Sequence, residues 1–291
     1  MKRTDFDNRG LLLLSGGEVD TFLQGLVSND VTQADGQKAV YSAFLTPQGK
    51  FLYDFFMVRS EKGVFIDCRA DDIPSFGKKL KMYKLRSDVT LEDVSADYQV
   101  SAIYGGDLSS ILPTDTHQQT MPDGTIIYRD PRLPDAGVRI LSTPSFDINN
   151  LCADIGSDAD YQSHRIRLGL PEAPADLIAD KSTLLESGFD ELNGVDWKKG
   201  CYMGQELTAR TKYRGLIKKR LVPVRVDGDA STGDDILFNG KVVGDIRSLE
   251  QGMGIAMIKL DALRQQSTFD VGSAKISVNL PGWIRLPDPA D

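Results

Sequence analysis

Apolar and polar positions alternate along this chain with two different periods. The run Leu11-Leu12-Leu13-Leu14 reads as a short buried strand. After it, Ser15 and Glu18 have the spacing of a capping box, and Val19, Leu23, Leu26 and Val27 recur at helical intervals, which predicts a helix ending near Ser28-Asn29-Asp30. YSAFLT and FLYDFFMVR flank Pro47-Gln48-Gly49, and VFIDC follows Glu61-Lys62-Gly63. Aromatic and β-branched runs separated by Gly-containing turns predict an antiparallel meander. Ile73, Phe76, Leu80 and Tyr83 fall on one face of a helix expected over Asp71 to Leu85. SDVTLEDV, QVSAIYG, GTIIYRD and GVRILS are further strand candidates. Helices and strands mix without a βαβ rhythm, so the expected class is α+β with antiparallel sheets.

The texture then changes. Tyr161 to Leu170 predicts a helix stopped by Pro171, and Pro171 to Gly194 is a long connection punctuated by Pro, Asp and Gly. Connections of that length are usually functional or partly helical. Beyond Arg220, LVPVRV, DILFNGKVVGDI, GMGIAMI and AKISVNL are short runs divided by Gly and Asp, the pattern of a small all-β barrel or sandwich. The expected division is residues 1–217 and 218–291.

With 291 residues, 41% of them hydrophobic and 26% charged, the chain can bury a core without disulfides. Its three cysteines, Cys68, Cys152 and Cys201, are far apart and odd in number. They make neither a disulfide framework nor a self-contained thiolate metal site. Cys68 and Cys152 adjoin apolar residues and are expected in the core. The apolar run at 11–14 is too short to span a bilayer, and the expectation is a cytoplasmic protein without a membrane segment.

A net charge of −8 argues against non-specific binding to nucleic acid over the whole surface. One segment departs from it. Lys198 to Arg220 holds eight basic residues against one acid, a local charge of +7. A solvated face, an anionic ligand, an acidic partner and RNA all remain open for it, although the overall charge weighs against tRNA. Within this segment Gly200 and Gly204 bracket Cys201-Tyr202-Met203, a spacing that permits sharp turns and close approach of a ligand. Lysines at 198 and 199 favour a thiolate, the nucleophilic and metal-binding form of the side chain. Cys201 is therefore expected to be exposed.

The stretch Lys199-Gly200-Cys201-Tyr202-Met203-Gly204-Gln205-Glu206 closely resembles the KGCYxGQE signature of the YgfZ family. These are folate-binding proteins related to the T-protein, the aminomethyltransferase of the glycine cleavage system, and implicated in iron–sulfur cluster assembly or repair. FLQGLVSNDV, AFLTPQGKFLYDFFMV, HRIRLGLPE and GKVVGDI…GMGIAMI extend the resemblance over nearly the whole chain. It implies a folate-binding T-protein-like body of antiparallel-sheet subdomains followed by a small β-barrel. It also implies that Cys201 is the critical residue, acting through redox chemistry or holding an iron–sulfur cluster jointly with a partner. Lys199, Tyr202, Gln205, Glu206 and Arg210 carry over as signature positions. Lys199 would act on the thiol, and Tyr202 would offer a flat face to a pterin. Glu186 falls where the family often has an acid.

Two departures from the T-protein matter. Its paired aspartates reduce here to Tyr53-Asp54, and its acidic pterin-recognition stretch is matched best by LPDAGVR, ending in Arg139. A guanidinium cannot accept the hydrogen bonds that a carboxylate accepts. The expected function is thus a tetrahydrofolate-binding accessory factor that serves iron–sulfur assembly proteins or client enzymes, including tRNA-modifying ones. Asp54 can still bind folate, and the alternative is an aminomethyltransferase or other one-carbon transferase with Asp54 as its acid.

Overall fold

Alternating inward side chains build two five-stranded antiparallel sheets in the first two thirds of the chain. The computed structural model describes residues 1–152 and 154–287. In one sheet the strand order is Val40–Leu45, Phe51–Ser60, Gly63–Arg69, Arg9–Ser15 and Thr90–Asp93. In the other it is Lys2–Phe6, Gln99–Tyr104, Val138–Ser142, Ile126–Arg129 and Gln118–Thr120. The helix Ile73–Lys84 packs through Phe76, whose ring lies 4.7 Å from Tyr53, 5.2 Å from Phe55 and 5.4 Å from Phe44. Aromatic groups at those separations add attraction beyond the area they bury.

The predicted meander forms. The first helix does not form as expected. It covers only Val19–Gln24 and has no side-chain cap. Ser15 is instead the last residue of its strand, opposite Thr90, and the Glu18 carboxylate accepts the Asp88 N–H at 2.6 Å. A tertiary donor outcompetes the local capping box, and Val27 leaves the helical pattern to bridge Phe44.

The chain divides into two compact units. The first comprises Met1–Leu45, Tyr53–Asp158 and Leu192–Met203, and the second Thr46–Leu52, Ala159–Glu191 and Gly204–Asp291. The second is organised around a closed six-stranded barrel, with order Lys219–Asp227, Met253–Lys259, Lys241–Glu250, Asp235–Phe238, Thr268–Val271 and Ala274–Val278. Pairing of the last strand with the first closes it, and Val222, Val224, Ile236, Ile246, Ile258 and Phe269 fill its interior. The connection after Pro171 forms turns rather than strands or long helices, yet buries Leu177, Leu184, Leu185 and Phe189. Asp176 holds this irregular segment in place, accepting from Arg165 at 2.7 Å and from Ser248 of the barrel at 2.7 Å.

Candidate functional site: the Cys201 loop and a neighbouring cavity

Asp196 starts the loop that carries Cys201. Its Oδ1 accepts the backbone N–H of Lys198 at 2.6 Å and of Lys199 at 2.9 Å, the local geometry by which aspartate initiates turns. Its Oδ2 accepts from Gln33 at 2.6 Å. The Lys199 ammonium donates to the carbonyls of Val27 at 2.7 Å and Asn29 at 2.8 Å, and stands 5.2 Å from the centre of the Tyr202 ring. Burial lowers the pKa of this ammonium to about 8, with Asp30 and Asp196 pulling the other way. Its hydrogens are thus directed to backbone oxygens.

Cys201 is exposed, while Cys68 and Cys152 are buried. Burial pushes the Cys68 thiol far above its ordinary range. Tyr202, next to Cys201, is 7% exposed. The loop therefore points one side chain in and its neighbour out. Among the described residues, no group of three or more His, Cys, Asp or Glu side chains is placed to hold a metal ion. A cluster bound through Cys201 would draw its remaining ligands from elsewhere.

In the first unit, a cavity of about 670 Å³ is lined by Tyr41, Asn29, Asn193, Asp196, Arg129 and Asp130 among others. That volume lies within the range of small-molecule sites, about 300–1,000 Å³. Neither Cys201 nor Asp54 is among its lining residues, and nor are Lys199, Tyr202, Glu186, Gln205, Glu206 and Arg210. Asp54 is partly exposed, and its carboxylate accepts the Tyr41 hydroxyl at 3.0 Å. Glu186, in the second unit, accepts from Thr183 at 3.0 Å. Gln205, Glu206 and Arg210 belong to the helix Gln205–Tyr213, also in the second unit, with Glu206 and Arg210 exposed. The expected site residues thus fall into separate groups: Lys199, Cys201 and Tyr202 on one loop, Asp54 in a strand, and four residues in the other unit.

Arg139, at the position where the T-protein resemblance calls for an acid, is an internal ion-pair partner. Its Nε donates to Asp67 at 3.1 Å and its Nη2 lies 3.0 Å from the same carboxylate. Arg9 donates to the other Asp67 oxygen at 2.7 Å, and Tyr128 donates at 2.8 Å. Burial alone would raise this carboxyl, but Arg139, Arg9 and the Tyr128 hydroxyl together hold it below the usual range. The guanidiniums of Arg139 and Arg132 also lie 4.5 and 5.0 Å from the centre of the Phe56 ring.

The basic segment is not one continuous feature. Its first residues belong to the first unit, and from Gly204 onward it belongs to the second. Arg220 is 2% exposed and pairs with Glu191 at 2.9 Å, and Lys212 pairs with Asp190. Charge counting treated these groups as surface charge. Sequence reading also passed over Asp196, Ser28 and Asn29. The Asp-x-Lys-Lys order at 196–199 was the local signal for the first; the other two act only through long-range contacts.

Residues 218–286 match the model for the C-terminal β-barrel domain of CAF17. A Neurospora crassa protein named iron–sulfur cluster assembly factor IBA57 homolog, mitochondrial, is 31% identical over 97% of this chain and 66% of its own length. A Mycosarcoma maydis homolog of that name is 36% identical over 75% of this chain and 55% of its own length, so the chain spans under two thirds of both fungal relatives. The Mus musculus IBA57 is 29% identical over 95% of this chain and 84% of its own length. Among solved structures, the glycine cleavage system aminomethyltransferase T of Bartonella henselae superposes with a TM-score of 0.74. It is 13% identical and covers 98% of this chain and 86% of its own. The expected T-protein-like α+β fold with a terminal β-barrel is borne out.

The cytoplasmic placement is overturned, because these relatives are named mitochondrial proteins. The shortness of the apolar run at 11–14 bears on a bilayer span there and does not separate cytosol from organelle. No helix among the described residues is long and apolar enough to cross a membrane. The chain is thus similar over most of its length to proteins named iron–sulfur cluster assembly factor IBA57, it has the fold of the T-protein, and its residues 218–286 match a CAF17-type barrel.

Proposed function

We propose that this chain is a YgfZ-type, tetrahydrofolate-binding accessory factor for iron–sulfur cluster assembly or repair, with Cys201 as its working thiol. The observation that carries the reading is the placement of Cys201: it is the exposed cysteine of the three, and it sits on a hydrogen-bonded loop. The names of the relatives supply the process. In this reading the cluster is cargo. Cys201 contributes one thiolate and an assembly protein or client enzyme contributes the others, with clients that include iron–sulfur enzymes modifying tRNA. The cavity supports the folate part through its volume and a lining that includes the amide side chains of Asn29 and Asn193 and the carboxylates of Asp130 and Asp196.

Cells lacking the factor, supplied with wild-type or Cys201→Ser protein, test the reading through the activity of an iron–sulfur enzyme. Wild type restores it and the serine variant does not; equal rescue by both would sink the proposal. Calorimetric titration with tetrahydrofolate tests the cavity, with substitution of the exposed lining residue His117→Ala expected to weaken binding. The transferase alternative gains no lining residue, since Asp54 is not among the residues that line the cavity.

A further inference from the structure

Two stretches singled out in the sequence, FLQGLVSNDV and KGCYMGQE, lie more than 160 residues apart, and the first meets residues 199–203 of the second within the first unit. Gly25 O accepts the Met203 N–H at 3.0 Å, and Ser28 O accepts the Asp196 N–H at 3.1 Å. The Ser28 hydroxyl donates to Gly194 O at 2.6 Å, and the Asn29 amide donates to Asn193 O at 2.7 Å. Backbone groups of the loop are thereby satisfied at 193–196 and again at 203. Between these anchors the Lys199 side chain cross-links the signature to the other stretch, through its two bonds to Val27 O and Asn29 O. A charged donor makes stronger hydrogen bonds than a neutral one. Tyr202 completes the clasp from below, buried with its ring 5.2 Å from the ammonium.

We propose that Lys199 is a positioning residue for Cys201: its ammonium clamps the loop onto the Val27–Asn29 turn, so that the Gly200–Met203 span holds Tyr202 inward and the thiol outward. Lys199 then acts on the thiol through the backbone. The FLQGLVSNDV stretch is the cradle of the loop, with its main-chain oxygens as the receiving groups. The fixed display matters for the proposed function, on which this inference rests, because a thiol shared with a partner must be offered in one orientation. Preorganising it lowers the ordering cost of that encounter.

A nitroxide attached to Cys201 reads the clamp without any cluster or folate. Cys68 and Cys152 are buried, so labelling is selective. The wild-type electron paramagnetic resonance spectrum is expected to be dominated by a slow component. Lys199→Met should convert most of it to a fast component, and Lys199→Arg, whose guanidinium can donate to both carbonyls, should restore the slow one. An unchanged spectrum in Lys199→Met overturns the proposal, as does failure of the arginine variant to differ from the methionine variant. Should Lys199→Met not fold, amide exchange in the wild type decides the matter. The Asp196 and Met203 amides must exchange more slowly than that of Cys201, and equal rates overturn the clamp. These outcomes are independent of the Cys201→Ser rescue, so the clamp and the iron–sulfur reading can fail separately.

Discussion

Asp67 in the first unit and Asp176 in the second are equally inaccessible to solvent, and their environments shift them in opposite directions. Burial raises both. Asp67 faces the guanidiniums of Arg139 and Arg9 and the Tyr128 hydroxyl, and its carboxyl ends below the ordinary range. Asp176 faces Arg165, which also lies 3.1 Å from Glu172, and the further donors Ser248 and the Glu172 N–H do not offset its desolvation. The difference teaches that the number of cations, rather than the depth of burial, decides whether an interior carboxylate is comfortable as an anion. In the first unit the carboxylate is a counter-ion for arginines around Phe56. In the second it is a knot that ties an irregular segment to the barrel.

The largest effect is expected from Asp67→Asn, which leaves Arg9 and Arg139 buried without their anion. A loss of about 3–5 kcal/mol in urea unfolding follows. Asp176→Asn keeps an acceptor for Ser248 and leaves Arg165 beside Glu172, so about 1–3 kcal/mol is expected. An equal or larger loss at position 176 would break the comparison. Tyr128→Phe removes a donor to an ionised acceptor and should cost about 1.5–3 kcal/mol, whereas Ser248→Ala should cost about 1 kcal/mol, both measured in the same way.

Acid titration sharpens the contrast through its sign. Asp67 and Asp130 have folded pKa values below the unfolded one of about 3.9, so their stabilisation is present above that pH and is lost as pH falls through the depressed values. Asp176 is raised, so its contribution falls as pH climbs from about 3.9 through its folded value. In a plot of unfolding free energy against pH, Asp67→Asn should flatten the acid limb, and Asp176→Asn should steepen the rise just above pH 4. The smallest change is expected for Lys212→Gln, whose partly exposed pair with Asp190 contributes at most about 1 kcal/mol and less in high salt.

Local patterns made the strands legible. Val40–Leu45, Phe51–Ser60 and Gly63–Arg69 lie where aromatic runs and Gly turns placed them, and the helix at Ile73–Lys84 follows its apolar face. Legibility ended where a residue's partner lies far along the chain. The Arg139–Asp67 bond spans 72 positions and the Lys199–Val27 bond 172, and no periodicity encodes either. The same limit explains Arg220, counted with a basic surface although Leu185 O and Glu191 receive it in the interior. At the site, the exposure of Cys201 was readable from its charged and glycine neighbours. The work of Lys199 was not, because charge alone suggests an effect on the thiol and only coordinates reveal the carbonyls.

Closure of the barrel has a consequence for how this molecule can meet others. A ring of strands leaves few unpaired main-chain donors and acceptors, so the barrel is a poor template for a guest strand or for its own aggregation. The open sheets keep such margins at Lys2–Phe6, Gln118–Thr120, Val40–Leu45 and Thr90–Asp93. Each margin is guarded: Arg3 is bridged by Ile155, the Gln118 strand has three residues, Val40–Leu45 is buried throughout, and Thr90–Asp93 carries two acids. Association through added strands is therefore discouraged at these margins of the described sheets.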